Sequence, residues 1–288
     1  MDGVLLIDKP AGITSAGAVE RIRKKLRTKA GHTGTLDPIA TGLLVILTGK
    51  ATRFSWIFQE LSKGYYTRGI LGVVTDTYDV EGTVLENREV RVSCEDLEEI
   101  VRSFRGEIIQ NPPPFSAKKV SGKRAYKLAR KGVSPPLKPV KVTVHEIRLE
   151  RCTIPSFEVF ALVSSGTYMR TLIHDIGLKA RTGAVVESLR RLSVGPFRVE
   201  EAISLDKFMD ADDPSPFIIP VDRALSFLPE VSLNSFQGDR IMKGTSLLIP
   251  DRQEEGNVRI YINSKFVGVG HLRSGVLKPK RLIPFKNS

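Results

Sequence analysis

The chain is poor in the residues that build metal and redox sites. Its 288 residues include two cysteines, Cys94 and Cys152, far apart and without CxxC spacing. No disulfide framework and no zinc cluster can be read from them. The four histidines, His32, His145, His174 and His271, are scattered, so no metal site of His and Cys is expected. The opening MDGVLLIDKP holds an apolar run too short for a signal peptide, and no stretch approaches a membrane span. The cytoplasm is the expected compartment. A phosphate loop is missing too: the GK at 49–50 lacks a glycine at the required spacing and is followed by Ala51. There is no HExxH, no HxE with PCxxC, no GxSxG and no internal repeat. Carboxylate, tyrosine and arginine chemistry is what remains.

Lysine and arginine, by contrast, are abundant. Forty-four of them face 32 acids, a formal net charge of +12. That excess favours a polyanionic partner, through phosphate contact and counterion release, although a merely basic soluble protein would look the same. The length and a hydrophobic content of 41% suffice for one large domain, or one large and one small.

Residues 3–7 predict a short buried strand. Thr14 or Ser15 can cap a helix carrying Val19, Ile22 and Leu26, whose other face holds Arg21, Arg23, Lys24, Lys25, Arg27 and Lys29 against Glu20 alone. The loop GHTGTLDPIATG (31–42) leads into the apolar run LLVIL. A helix with Phe54, Ile57, Phe58 and Leu61 follows, then a strand over 65–74. Ser93 and Asp96 form a capping-box pattern before Leu97, Ile100, Val101 and Phe104. Residues 111–141 hold nine Lys or Arg and no acid, with prolines at 112–114 and 135–136. They read as a flexible basic lobe with one helical piece over 123–132. Strands at about 139–151 and 157–164 come next. A helix over 168–180 turns Met169, Leu172, Ile173 and Ile176 inward. A further helix at about 184–192 and a strand at 193–199 close the main body. DADDPSPF (210–217) reads as a surface linker. Beyond about 228 short strands and glycine turns predict a small all-β module of about sixty residues.

The densest unusual segment is 31–42. Pro38 keeps Asp37 out of helical geometry, and by local pattern alone Asp37 could simply cap the next element. His32 could be a plain loop residue, and Tyr65 could be packing at a sheet end. Arg170 is stranger. It lies in the first turn of its helix, where the macrodipole disfavours a cation. Either solvent screens it, or it is aimed at a nearby carboxylate or phosphate.

GHTGTLDPIATG resembles the catalytic motif of the TruB family of tRNA pseudouridine synthases, and the likeness spans nearly the whole chain. GVLLIDKPAGITS resembles the family's N-terminal motif. KGYYTRGILGVVTDTYDVEG (63–82) is similar to its tyrosine-bearing strand and the acidic loop after it. PPPFSAKKVSGKRAYKLARKG (112–132) resembles its mobile RNA-gripping insertion. SSGTYMRTLIHDIG and VESLRRLSVGPF resemble its last two active-site motifs. Five ordered motifs are far more specific than any one. GVGHLRSGVLKPKRL (268–282) looks, more loosely, like part of a PUA domain.

The resemblance implies a fold of the α/β class in its α+β form: a central mixed, mostly antiparallel sheet flanked by helices, with a small PUA-like β-barrel. Residues 1–227 would be catalytic, with the insertion at about 111–141, and 228–288 would bind RNA. The implied reaction turns the T-loop uridine of tRNA, position 55, into pseudouridine. By the same resemblance Asp37 is the catalytic aspartate, Arg170 its ion-pair partner, and Tyr65 the residue stacked on the target base. Counting back from Leu71-Gly72 selects Tyr65 over Tyr66. His32 would wedge the rearranged RNA loop, Leu189 would line the base pocket, and Tyr168 would lie beside Arg170. Lys9 and Pro10 would support the catalytic loop from below. Lys118, Lys119, Lys123, Arg124 and Lys127 would grip phosphates. Thr35 and Gly64 depart from common family choices without removing a functional group. The isomerisation involves no net gain or loss of atoms and no redox change, so no cofactor is expected. The T arm of tRNA is the implied partner of a monomer with no obligatory protein partner. Three rivals stand beside this reading: the guide-RNA-dependent branch of the superfamily, against which the insertion speaks; an RNA chaperone, a role that can coexist with catalysis; and an unrelated basic nucleic-acid-binding module, which the five ordered motifs make remote.

Overall fold

The protein is seen here as a computed structural model that describes residues 1–113, 119–120, 123–124, 138–250, 252 and 254–283. Strand β1 (Gly3–Lys9) is buried along almost its whole length. Thr14 caps helix α1 (Ser15–Leu26) by accepting the N–H of Gly17. Strand β2 (Ala30–His32) precedes β3 (Thr41–Thr48). The stretch with Phe54, Ile57 and Phe58 is a 3-10 turn (Gly49–Phe54) running into a short helix α2 (Ser55–Glu60). The strand expected over 65–74 is two, β4 (Lys63–Leu71) and β5 (Val73–Thr75), separated by Gly72 at φ 89°. A side chain would be strained at that angle. Strand β6 (Val84–Asn87) pairs back on β5. Helix α3 (Cys94–Arg102) starts at the capping box of Ser93 and Asp96. Strand β7 (Gly106–Gln110) follows it.

Strands β8 (Lys119–Val120) and β9 (Lys123–Arg124) form a two-stranded ribbon. The helix expected over 123–132 therefore does not begin at Lys123, since that backbone is extended and paired. Residues 125–132 lie outside the described residues, as do Lys118 and Lys127.

Next come β10 (Val140–Thr153), β11 (Ser156–Val163), helix α4 (Met169–Lys179), β12 (Ala184–Val194), β13 (Phe197–Arg198), β14 (Ile203–Ser204), and helices α5 (Leu205–Asp210) and α6 (Val221–Ala224). The helix expected at 184–192 is thus a correction: these residues make a long strand. Register shifts between Val186 and Ser188 and between Arg191 and Ser193 reset the in–out alternation. The strand's apolar residues Val185, Val186, Leu189 and Leu192 stand three and four apart, which imitates a helix, whereas burial alternates from Leu189 to Ser193.

The large sheet has the order β14-β1-β3-β12-β4-β11-β10-β7. The pairs β1–β14 and β3–β12 are parallel, and the others along that path antiparallel. Alternation along β1 separates two cores. Leu5 and Ile7 pack with Ile22, Leu97, Leu172 and Ile176 from α1, α3 and α4. Val4 and Leu6 pack with Phe54, Ile57 and Phe58 on the other face.

The segment 210–217 is no free linker. It contains a 3-10 turn (Ser215–Phe217), with Phe217 against Phe208 at 6.2 Å, and Ile219 then bridges to Val4. Beyond it lie β15 (Glu230–Leu233), helix α7 (Ser235–Met242), β16 (Leu247–Leu248), β17 (Gly256–Ile262), β18 (Lys265–Arg273) and β19 (Val276–Leu282). They form a curled five-stranded sheet of order β15-β17-β18-β19-β16, which fits a PUA-like domain. The all-β expectation missed α7, whose start Asn234 and Gln237 mark with a capping box. Val269 joins the second core of the main body, and the Phe266 ring lies 5.9 Å from that of Phe54. No helix among the described residues is long and apolar enough to cross a membrane.

Cys94 and Cys152 are joined by a disulfide across 58 residues of sequence. Cysteine spacing hid it, because the pair meets only where the start of α3 lies beside the end of β10. Closing so long a loop removes about 4 kcal/mol of unfolded-chain entropy in the simplest account. Reduction, or a Cys94→Ser and Cys152→Ser double variant, is expected to lower stability in denaturant titration by about 2–4 kcal/mol.

Candidate active site

A cleft of about 370 Å³ opens where loop 33–37, the start of β4, the N-terminus of α4 and the middle of β12 converge. His32, Asp37, Tyr65, Tyr168, Arg170 and Leu189 all line it, together with Lys63 and Arg191. Asp37 is the one carboxylate among these lining residues.

The element after Asp37 is strand β3, so Asp37 has no helix to cap. Its Oδ2 instead lies 2.9 Å from Nε of Arg170. The Arg170 side chain is 7% exposed and that of Asp37 35%. Arg170 therefore has a use for its unfavourable place in the first turn of α4. Its Nη1 donates to the carbonyl of Thr77 at 2.8 Å and to Oδ2 of Asp79 at 3.3 Å. Asp79 is itself buried, and its Oδ1 accepts from the Thr77 hydroxyl at 2.6 Å. The tight turn that delivers it passes through Tyr78 at φ 64°, whose ring stacks on His174 at 3.9 Å.

The loop that carries Asp37 is held from several sides. The Ser15 hydroxyl accepts from Leu36 N–H at 2.8 Å and donates to Leu36 C=O at 2.9 Å. Lys9, with no exposed surface, donates to the carbonyls of Pro10 and Ile13 at 2.7 and 2.8 Å and to that of Pro38 at 3.5 Å. Pro10 is not among the residues lining the cleft; it borders a smaller hollow, and its carbonyl accepts from Lys9. Arg191, 1% exposed, donates to Leu43 C=O at 2.7 Å and to Gly34 C=O at 3.1 Å. Gly42 is required beside it, since a Cβ there would fall 2.3 Å from the Arg191 carbonyl. Lys63 donates to the carbonyls of Gln59 and Leu61 at 2.7 and 2.6 Å.

The pleat turns the two adjacent tyrosines to opposite faces of β4. Tyr65 is buried and faces the cleft, whereas the Tyr66 hydroxyl donates to Oε2 of Glu158 at 2.6 Å. Sequence reasoning missed Asp79, Lys63 and Arg191. Asp79 had a signal, the acidic run TDTYD, from which no residue was singled out. Arg191 was hidden by the reading of its strand as a helix. Lys119, Lys123 and Arg124 belong to the β8–β9 ribbon.

A family model described as TruB family pseudouridylate synthase, N-terminal domain, matches residues 22–169. One described as the tRNA pseudouridylate synthase B C-terminal domain matches 170–226, and one described as pseudouridine synthase II TruB, C-terminal, matches 229–283. The chain belongs to the TruB family. A tRNA pseudouridine synthase B of Aquifex aeolicus is 51% identical over 286 residues, covering 98% of this chain and 100% of the relative. One from Azoarcus sp. is 41% identical over 290 residues, covering 98% and 95%. Among solved structures, the fold is similar to a chain of a Cbf5-Nop10-Gar1 complex, with TM-score 0.75, 26% identity and coverage of 97% and 84%. It is equally similar to a chain of an H/ACA RNP bound to a substrate RNA containing 2'-deoxyuridine, with TM-score 0.74, 25% identity and coverage of 98% and 85%. The chain has the pseudouridine synthase fold, mixed α+β around one large sheet.

Burial pushes the Lys9 ammonium down to about 8; Asp37 opposes the shift and Arg191 adds to it. Burial, reinforced by Arg191, likewise lowers Lys63 to about 8. An unfolded lysine holds its proton to about 10.4. Between these values the unfolded chain binds more protons, so native stability rises with pH. Wild type should gain stability over a Lys9→Met variant from pH 8 to pH 10, and lose that gain as pH falls through 8. Urea titrations of both proteins at the two pH values measure it.

Proposed function

We propose that the cleft takes the T-loop uridine of tRNA, position 55, and isomerises it with Asp37 as the essential carboxylate. The observation that carries this reading is the Arg170–Asp37 pair in a cleft lined by Tyr65 and two further cations. As a TruB family member the protein is an isomerase, a tRNA pseudouridine synthase. Its relatives at 51% and 41% identity carry that name, whereas the chains of the Cbf5-Nop10-Gar1 complex and of the H/ACA RNP resemble it at 25–26%. The reading is therefore of a stand-alone monomer acting on tRNA directly, in the cytoplasm where tRNA resides.

Pseudouridine formation breaks the bond between N1 and C1′, turns the uracil, and rejoins it through C5, which loses its hydrogen as a proton to solvent while N1 gains one. A stacked uridine cannot turn in place, so the nucleotide has to swing out of the RNA into the protein. Tyr65 gives the extruded base an aromatic face, an interaction of about 1–3 kcal/mol. Leu189 and Tyr168 supply the walls, and His32 is placed to hold the space the base leaves. Asp37 bears negative charge beside the sugar, as a nucleophile or as a stabiliser of positive charge at C1′. Arg170 supplies the opposing charge that a half-buried carboxylate needs, and Asp79 and Thr77 keep that guanidinium from following the substrate. We read residues 1–227 as the catalytic part and 228–288 as a PUA-like RNA-binding part, with the insertion at about 111–141 gripping phosphates.

Asp37→Asn is expected to reduce tritium release from C5-labelled uridine in a tRNA transcript to background while tRNA affinity persists. Full activity in that variant would sink the assignment. Neutralising Lys118, Lys119, Lys123, Arg124 and Lys127 together is expected to weaken binding and flatten its dependence on salt. For every phosphate left without its cation, the slope of log K against log salt should fall by about 0.7–0.9. Filter binding at several salt concentrations measures that slope; an unchanged one removes the insertion from the interface.

A further inference from the structure

The root of the basic insertion is fastened to the wall of the cleft. Gln110, the last residue of β7, has no exposed surface. Its Oε1 accepts from the N–H of Tyr168 at 3.0 Å, and its Nε2 donates to the carbonyl of Tyr168 at 3.3 Å. One residue on, the carbonyl of Asn111 accepts from the hydroxyl of Thr171 at 3.2 Å. Thr171 is 2% exposed. Two successive residues where the chain leaves the sheet are thus bonded to both sides of Arg170.

This geometry has a use beyond satisfying buried polar groups. Helix α4 starts without a side-chain cap: Tyr168 occupies the cap position at φ −100° and ψ 108°, and no acid stands in the first turn. The usual local devices against fraying are therefore missing from that turn. The carboxamide of Gln110 does the holding from another element. It engages the N–H and C=O of the same residue, so neither a slide nor a rotation of the Tyr168 backbone leaves both bonds intact. Arg170 is two residues further along, and its Nε must sit 2.9 Å from Asp37.

We infer that Gln110 is a positioning residue: it fixes the backbone of Tyr168, and thereby the aim of Arg170 at Asp37, while tying the insertion's root to the same turn. The inference rests on the proposed role of the cleft. Displacing a reacting constellation by about 1 Å costs on the order of 100-fold in rate.

The test compares Gln110→Met, which keeps the length and removes both bonds, with Thr171→Val, which removes only the Asn111 bond. Single-turnover pseudouridine formation is measured at saturating tRNA transcript, with Kd by filter binding and folding by circular dichroism. For Gln110→Met the saturated rate should fall about 10–100-fold, with Kd within about twofold of wild type. Thr171→Val should lose less, in the same direction. A merely structural role would lower the melting temperature and leave the saturated rate alone. A wild-type rate in folded Gln110→Met overturns the inference, as does a loss confined to Kd. If Gln110→Met does not fold, Gln110→Glu, which keeps an acceptor for the Tyr168 N–H and loses the Nε2 donor, decides, and an unchanged saturated rate there overturns it. Asp37→Asn is assayed alongside. Activity in that variant would remove the cleft's assigned role, whatever the Gln110 result.

Discussion

A guanidinium taken out of water must be met on every side, and Arg170 is met by Asp37, Asp79 and the carbonyl of Thr77. That requirement organises the centre of the molecule. It brings together the loop before β3, the turn after β5 and the first turn of α4, three segments remote in sequence. The two carboxylates are not equivalent. Asp79 is as buried as the arginine, while Asp37 keeps a third of its side chain open. One anchors the cation and the other presents charge to the cleft, so the pair can serve a substrate without surrendering its scaffold.

The same logic governs the other cations under the cleft. Lys9, Lys63 and Arg191 are buried, and each donates to two or more backbone carbonyls. Buried charge is tolerated where hydrogen bonds replace water. Here the bonds go to the very loops that shape the site, so the cations hold the backbone while raising the potential of the cleft. An RNA phosphate approaching it meets a field set by groups that cannot move aside.

How much of this was readable beforehand depended on whether the cause was local. The cap at Thr14, the capping box at Ser93 and the inward face of α4 follow from residues within a turn of one another, and the sequence revealed them. Arg170 was legible as an oddity because a cation in a first helical turn conflicts with a local rule. Its partner Asp79 was signalled only by the acidic run TDTYD, in which no local rule sets it apart from Asp76. Strand β12 was misread because its apolar residues, Val185, Val186, Leu189 and Leu192, stand at helical spacing, and with it went Arg191. Helix α7 was overlooked among glycine turns although Asn234 and Gln237 announce it. The disulfide depended on tertiary placement alone.

That disulfide has a topological side. Cys94 and Cys152 close a covalent ring of chain, and the whole stretch 111–141 lies inside it. A protease that cut the ring once within the insertion would leave two polypeptides and still one molecule. On a gel without reductant the nicked protein would keep the mass of the intact chain, and only thiol would part it at the cut. The stretch with nine lysines and arginines, the residue types after which trypsin-like enzymes cut, thus lies where a single cut leaves the protein in one piece.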